Sequence, residues 1–286
     1  MSTDHFTAVI IDGVVVDAAT ASIPVTDIGF IRGFGVFEVI RGFDGRCFRL
    51  DHHLERLGRS AAMLGIDLPA AEDIGDWATT VAAAEPEALV RLLVSAGDDP
   101  FEGTTRVVVT CEPAPEQADE LTLLPVVAPW HSDGAQWELL GAKTLSYGNN
   151  FGAIRQAKLA GFSDALLIGR SGAMLEGPTF TVGWVVEETG TTIYETPAMS
   201  LGILDSITRR VALDAATEAG LHVRQVRAPL ERLDRAVEFF ALSTLRDTIS
   251  VTRVGDREFA PGQATLALRE AMLALKHREL GAGSVA

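Results

Sequence analysis

Short apolar segments that turn at Asp-Gly pairs fill the first fifty residues, and they constrain the fold more than any other feature. FTAVIIDGVVVDAATASIPVTD places Val/Ile runs on both sides of one Asp-Gly pair, and VFEVIRGFDGRCFRL repeats the pattern around a second pair. Asp-Gly between β-branched residues favours a tight hairpin turn, because both residues tolerate a positive φ. The sequence therefore predicts two antiparallel hairpins, one after the other.

The hydrophobic pattern changes to a helical period after these hairpins. Apolar residues between positions 51 and 66 form one helical stripe, with Asp51 available to cap the first turn. A second helix is predicted over residues 71–84, and the strands ALVRLLVSAG and RVVVTCEP follow it. The N-terminal half is therefore predicted to be an α+β unit.

The length of 286 residues is sufficient for two domains. The stretch LTLLPVVAPWHSDGAQ mixes strand residues with Pro, Ser and Gly, and the pattern after it becomes strand, helix, strand, strand, helix. We predict a mixed α/β protein of the α+β type. Its parts are a small N-terminal domain over 1–124, a linker over 125–134 and a larger C-terminal domain over 135–286.

The charge balance narrows the classes of partner. The formal net charge is −15, which repels phosphate backbones and anionic lipid heads, so we expect neither nucleic acid nor a membrane as a partner. No apolar run reaches eighteen residues, and the N-terminus has no basic segment followed by an apolar one. The two cysteines lack metal-ligand spacing and cannot form a disulfide framework. We expect a cytoplasmic protein without a metal site.

Lysine chemistry is easy to localise, because the chain contains only Lys143, Lys158 and Lys276. Lys276 lies near the end of an amphipathic C-terminal helix, where its charge complements the helix dipole. Lys158 falls on the polar flank of a predicted helix whose buried stripe includes Leu159. Lys143 follows the apolar run WELLGA at a predicted strand end, just before a helix. A lysine desolvated at such a place can lose its proton and attack an aldehyde.

The segment GILDSITRRVALDAATEAG predicts a turn followed by a helix that is capped near Asp205 or Ser206. Backbone N–H groups at such a start, with the hydroxyls of Ser206 and Thr208, form an anion site of phosphate size. A capped surface helix would need the same residues. This segment alone therefore leaves both interpretations open.

Five stretches in a fixed order carry a more specific signal. They are DIGFIRGFGVFEVIRGFDGRCFRLDHHLERL, KTLSYGNN, AGFSDALLIGRSGAMLEGPTF, ETPAMSLGILDSITRR and FFALSTLRDTISV. Together they resemble the class IV aminotransferases, the fold-type IV pyridoxal phosphate (PLP) enzymes that include D-amino acid and branched-chain aminotransferases and aminodeoxychorismate lyase. The resemblance spans nearly the whole chain. It implies a fold-type IV enzyme with its active site in the cleft between two domains, and a homodimer.

The resemblance also implies PLP as the cofactor and gives roles to individual residues. Lys143 matches the lysine that forms the Schiff base and then serves as general acid and base. Glu176, in MLEGP, matches the carboxylate that faces the pyridine nitrogen, where it keeps the ring protonated as an electron sink. The other positions that match cofactor-binding residues are Arg56, Ser206, Ile207, Thr208 and Thr244 on the phosphate, and Tyr147 on the ring hydroxyl.

The substrate side departs from parts of the family. The Arg-x-His pair of the best-known D-amino acid aminotransferases is missing from VRLLVSAGDDP, and Thr181 stands where many members place an asparagine. A substrate carboxylate in an acidic protein still requires a cation. The candidates for substrate contact are Arg91, which we favour, Arg41 and Arg32 for the carboxylate, and Phe37 and Phe30 for an apolar wall.

Several activities are compatible with this resemblance. The first is a transaminase that takes amino acid and keto acid substrates, with D-amino acids favoured because EGPTF and VGWV resemble that branch. Branched-chain L-amino acid transaminase, (R)-type primary amine transaminase and aminodeoxychorismate lyase are alternatives on the same fold. A catalytically silent binding protein is the alternative outside enzymes, and the presence of Lys143, Glu176 and Arg56 together argues against it.

Overall fold

The computed structural model describes residues 6–281 and consists of two compact units. The first unit contains the chain up to Glu116 and the separate segment Ala142–Tyr147. The second contains Gln117–Gly141 and the chain from Gly148 onward. Both units combine a β-sheet with helices, which confirms the predicted mixed α/β fold class.

The first unit is built on a six-stranded antiparallel sheet in the order β2-β1-β6-β5-β3-β4. Its strands are β1 (Ala8–Ile11), β2 (Val14–Val16), β3 (Gly35–Phe43), β4 (Arg46–Cys47), β5 (Glu87–Ser95) and β6 (Arg106–Pro113). Both predicted hairpins are confirmed. Asp12 and Gly13 have φ values of 50° and 82°, and Asp44 and Gly45 have values of 48° and 77°, as a two-residue turn of this type requires.

The helices of the first unit are α1 (Ile28–Arg32), α2 (Leu50–Leu64) and α3 (Ala71–Ala82). The predicted cap of α2 by Asp51 is wrong, because the helix is preceded by Arg49 in a left-handed conformation, with no capping hydrogen bond from a side chain. Helices α2 and α3 pack on the sheet face that carries Val36 and Ile40 of β3. Because side chains alternate along a strand, Phe37 and Val39 point to the opposite face.

The second unit is built on a mixed eight-stranded sheet in the order β11-β10-β9-β12-β13-β7-β8, with β14 paired to β13. Pairing is parallel between β10 and β11, β13 and β7, and β7 and β8. Its strands are β7 (Glu120–Val127), β8 (Asp164–Ile168), β9 (Thr181–Glu188), β10 (Thr191–Pro197), β11 (His222–Val226), β12 (Ala236–Ser243), β13 (Asp247–Val254) and β14 (Arg257–Glu258). Its helices are α4 (Gly148–Leu159), α5 (Ile207–Ala216) and α6 (Gln263–Glu279).

The division of the chain differs from the predicted boundaries in two places. Strand β7 pairs with β13 and β8, so the residues that follow Glu116 belong to the second unit. The run WELLGA forms turns rather than a strand, and the segment that follows it returns to the first unit. The predicted single linker at 125–134 therefore does not account for a segment that comes after it and belongs to the first unit.

Two helices bury other residues than the sequence pattern predicts. Leu159 of α4 is 75% exposed, and the buried residues of that helix are Ala153 and Ala157. Lys276 of α6 is buried and lies 2.6 Å from an Asp247 oxygen, so its charge is neutralised by a side chain as well as by the helix end. Within residues 6–281, no helix combines the length and the apolar character needed to cross a membrane.

Candidate active site

The backbone around Lys143 is held by β3 on one side and by α2 on the other. Phe37 donates its N–H to the Lys143 carbonyl at 3.0 Å, and Leu145 donates to the Gly35 carbonyl at 2.8 Å. The N–H of Lys143 donates to Ser60 Oγ on α2 at 3.1 Å. Three hydrogen bonds from two elements of the first unit therefore fix the position of this lysine.

The side chain of Lys143 lies among aromatic rings. Its Nζ is 4.1 Å from the centre of the Phe37 ring and 5.6 Å from that of Tyr147. The two rings pack edge to face at 5.1 Å. A cation is attracted to such ring faces, and the rings also exclude water from part of the amine. The structure thus brings together three of the predicted site residues.

A buried carboxylate, Glu38, lies on the helix-facing side of β3. Arg56 donates to it from Nε at 2.7 Å and from Nη2 at 2.6 Å, and His53 Nδ1 is 2.8 Å from one oxygen. Burial alone would raise the pKa of Glu38, but the charge and hydrogen bonds of Arg56, with those of His53, lower it to about 2. Glu38 is therefore ionised at neutral pH.

His53 is the third member of this cluster. Burial lowers the pKa of His53 below its usual value of 6.5, against the opposing effect of Glu38, and the charges of Arg56 and Lys143 lower it further. The neutral ring donates Nδ1–H to Glu38, because an ionised carboxylate can only accept. Glu38 and His53 were not among the residues predicted from the sequence, although a charged residue within the apolar strand VFEVI was a visible signal for Glu38.

Arg56, the residue predicted to hold a phosphate, is buried and engaged with Glu38 through both Nε and Nη2. A guanidinium binds an anion in bidentate fashion along one planar edge. In Arg56 the carboxylate of Glu38 already occupies such an edge. A phosphate contact to Arg56 would use its remaining donor positions. Its predicted role stays a proposal.

Glu176 belongs to the second unit, where it follows the buried residues Met174 and Leu175. Both of its carboxylate oxygens lie 3.2 Å from the Leu204 nitrogen, so the Leu204 N–H points between them. His131 Nε2 is 3.6 Å from Oε1. The side chains of Glu176 and His131 are 15% and 12% exposed, respectively. The carboxylate is thus held by the backbone and is also accessible from outside.

The start of α5 is capped by Ser206, as predicted. Ser206 Oγ accepts a hydrogen bond from the Arg209 N–H at 3.2 Å, and Ile207 and Thr208 are buried. Backbone N–H groups and the helix dipole favour an anion at this place. Thr244 is half-buried in the turn between β12 and β13. Ser206, Ile207, Thr208 and Thr244 thus all belong to the second unit, whereas Arg56, the other residue predicted to contact the phosphate, belongs to the first.

The predicted substrate-binding residues occupy different surroundings within the first unit. Arg91 of β5 forms an ion pair with Glu112 and keeps 34% of its side chain exposed. Arg41 pairs with Glu87 at 2.7 Å. Arg32 and Phe30 lie on α1 and are exposed, whereas Phe37 is in contact with Lys143. The cross-strand register places Arg91 beside Val39, on the same sheet face as Phe37.

Comparisons with known proteins agree on one family. The family profile described as "Amino-transferase class IV" matches residues 35–254. D-alanine aminotransferase from Bacillus licheniformis is 29% identical over 274 residues, which cover 92% of this chain and 95% of that enzyme. Aminodeoxychorismate lyase from Bacillus subtilis is 30% identical and covers 85% of this chain and 86% of its own. A fold IV transaminase from Curtobacterium pusillum superposes with a TM-score of 0.85 at 27% identity, over 96% of this chain and 99% of that one.

Proposed function

Because this chain belongs to the class IV aminotransferases, we propose that it transfers an amino group from an α-amino acid to a 2-keto acid with Lys143 as the catalytic residue. Lys143 is also the residue that would hold the PLP cofactor covalently. The observation that carries this proposal is the fixed position of the lysine, with its backbone bonded to β3 and α2 and its Nζ beside the Phe37 ring. A surface lysine in a structural role would need none of these contacts.

The donors in the structure are chemically suited to PLP. An amine, a carboxylate and a hydroxyl-rich helix start match its aldehyde, its pyridine nitrogen and its phosphate, and we assign these roles to Lys143, Glu176 and the Ser206–Thr208 segment. When bound, PLP supplies an electron sink for the negative charge that develops at the substrate Cα. Glu176 would keep the sink charged by holding a proton on the pyridine nitrogen. Tyr147 would donate to the ring hydroxyl, and Thr244 to the phosphate.

Lys143 would act twice in each half-reaction. With PLP bound, Lys143 would hold the cofactor until an amino acid takes its place, and the freed Lys143 amine would then be placed to accept the proton from the substrate Cα as a general base. The same amine, now protonated, would be the general acid that gives this proton back. The rings of Phe37 and Tyr147 limit the access of water to Nζ during this transfer.

We propose Arg91 as the residue that binds the substrate carboxylate. Arg91 is diagonal to Phe37 across β3 and β5, and diagonal neighbours on one sheet face lie about 7–8 Å apart. The other two candidates lie elsewhere in the first unit. Arg41 is on β3 itself, two residues beyond Val39 and so farther from Phe37 than Arg91 is, and Arg32 is on α1. Glu112 would share the guanidinium with the substrate, since arginine offers five N–H donors.

The proposed amino donor is a D-amino acid. The relative named D-alanine aminotransferase, which covers 92% of the chain, supports this preference together with the EGPTF and VGWV segments. The relative named aminodeoxychorismate lyase covers 85% and makes the lyase reaction the second candidate. Release of pyruvate without any amino acceptor distinguishes the lyase from a transaminase.

We also propose a homodimer. The side chains of Val25 and Phe30 in the first unit are largely exposed apolar surface, and a second copy of the chain would cover such surface. The molar mass in solution, measured by light scattering, tests this expectation. A monomer at working concentrations would contradict it.

Visible spectra of the purified protein with PLP, recorded during addition of D-amino acids, L-amino acids and primary amines one at a time, test the activity. We expect the cofactor band to change with D-amino acids in the wild type and to stay unchanged in Lys143→Ala. A colourless protein, or a Lys143→Ala variant that converts substrate normally, would refute the proposal in favour of a silent binding protein.

The carboxylate role has a matched pair of variants. Arg91→Met should raise KM for amino acids without raising it for primary amines, which have no carboxylate. Arg41→Met removes a similar guanidinium from the neighbouring strand. It should leave KM for amino acids and KM for primary amines near the wild-type values. Equal effects of the two substitutions would remove the support for Arg91.

A further inference from the structure

The tautomer of His131 is set by its own loop. Its Nδ1 accepts a hydrogen bond from the Asp133 backbone N–H at 3.1 Å, so in the neutral ring the proton is on Nε2. That Nε2 is the atom that lies 3.6 Å from Glu176 Oε1. The ring therefore presents a donor to the carboxylate.

The loop that carries His131 is anchored by Asp133. Its carboxylate accepts the Ser171 N–H at 2.6 Å and the Ser171 hydroxyl at 3.0 Å, and Arg227 Nη2 donates to its carbonyl at 3.1 Å. Burial alone would raise the pKa of Asp133, but the hydrogen bonds from Ser171 and the charge of Arg227 lower it. A Cβ at Gly169 would lie 2.6 Å from Asp133 Oδ1, so the packing is close. His131 is thus held in place by a built network.

We propose that His131 is a positioning residue for Glu176: it donates Nε2–H to one carboxylate oxygen, while the Leu204 N–H points between both. This inference rests on the proposed function, in which Glu176 faces the pyridine nitrogen. The Nε2–Oε1 distance of 3.6 Å is longer than an N–H···O hydrogen bond, so the proposed bond requires one of the two side chains to move by about half an ångström. Two donors from different elements then fix the carboxylate in one plane.

Two substitutions distinguish the contributions of the two ring nitrogens of His131. In His131→Asn, the amide oxygen occupies the Nδ1 position and still accepts the Asp133 N–H, but nothing reaches Glu176. In His131→Gln, the amide nitrogen occupies the Nε2 position and still donates to Glu176. We expect His131→Asn to weaken PLP affinity of the cofactor-free protein by about 10-fold, an effect typical of residues that orient a ligand-binding group, because only the part of the hydrogen-bond energy that changes on PLP binding contributes to affinity. We expect His131→Gln to retain affinity within about threefold.

A double-mutant cycle attributes the effect to Glu176. In a Glu176→Gln background the carboxylate charge is gone, so His131→Asn should change PLP affinity little further. The absorption maximum of the bound cofactor gives a second measurement, which should shift in His131→Asn and stay at the wild-type position in His131→Gln. Melting of the cofactor-free variants controls for folding.

The outcomes distinguish this inference from the proposed function. A wild type without a cofactor band refutes the function itself. A wild type with normal activity, next to a His131→Asn variant with unchanged PLP affinity and unchanged absorption, overturns only the role of His131. If the cofactor-free His131→Asn variant melts at a lower temperature than the wild type, the result for His131→Gln decides. Wild-type PLP affinity in His131→Gln supports the role of Nε2, and a large loss of PLP affinity in it overturns that role.

Discussion

Replacing Glu38 by Gln should destabilise the cofactor-free protein by about 3 kcal/mol at neutral pH. The folded protein lowers the pKa of Glu38 from 4.5 to about 2, and a difference of about 2.5 pH units at 1.36 kcal/mol each corresponds to about 3 kcal/mol. Leaving the buried Arg56 without its charge partner independently gives about 3–5 kcal/mol.

The sign of the pH dependence follows from the lowered pKa. Stability from Glu38 is fully present above 4.5, the ordinary value of an unfolded glutamate, and is lost as the pH falls toward 2. The difference between wild type and Glu38→Gln should therefore be largest near neutral pH and shrink through this acidic range.

Urea unfolding of the cofactor-free proteins at several pH values measures this difference without adding salt. The matched control is Glu87→Gln, which breaks the pair with Arg41 where the carboxylate is 69% exposed, and which should cost less than about 1 kcal/mol. The reasoning is refuted if Glu38→Gln costs no more than this control. It is also refuted if the cost of Glu38→Gln stays constant as the pH falls.

Three further substitutions test local features. Ser206→Ala removes the cap of α5 and should cost about 1 kcal/mol in urea unfolding, with weaker PLP binding in fluorescence titration. Gly183→Ala should cost about 1–3 kcal/mol, because the new Cβ would lie 2.5 Å from Tyr194 Cε2 and 2.7 Å from Phe240. Gly58→Ala, within α2 and with open space around it, should instead raise stability by about 0.5–1 kcal/mol; a loss in thermal melting would contradict this.

The features that sequence reasoning predicted correctly are local ones. An Asp-Gly pair determines its own turn, and Ser206 caps a helix that begins one residue later, so a few neighbouring residues contain the necessary information. The cap predicted at Asp51 failed at this same level, because the left-handed backbone of Arg49 starts the helix without a side-chain donor or acceptor. Local rules predict where a helix lies better than they predict how it begins.

The contacts that sequence reasoning could not predict join residues far apart in the chain. Glu38 meets Arg56 and His53 only because β3 packs under α2, and no spacing in the sequence encodes that register. Similarly, His131 lies beside Glu176 because the loop after β7 reaches the segment between β8 and β9. The family resemblance assigned roles to Arg56 and Glu176 but did not supply the partners of either.

The return of Ala142–Tyr147 to the first unit limits the positions at which chimaeras with related enzymes can be joined. The chain passes from one unit to the other at three places, so no single crossover exchanges the first unit as a whole. A fragment that stops at Glu116 would lose the lysine together with the segment that hydrogen-bonds to β3. A substituted second half would bring its own lysine, which must then fit the β3 backbone of a foreign partner. We therefore expect chimaeras with relatives to remain active only when β3 and the lysine segment come from the same parent.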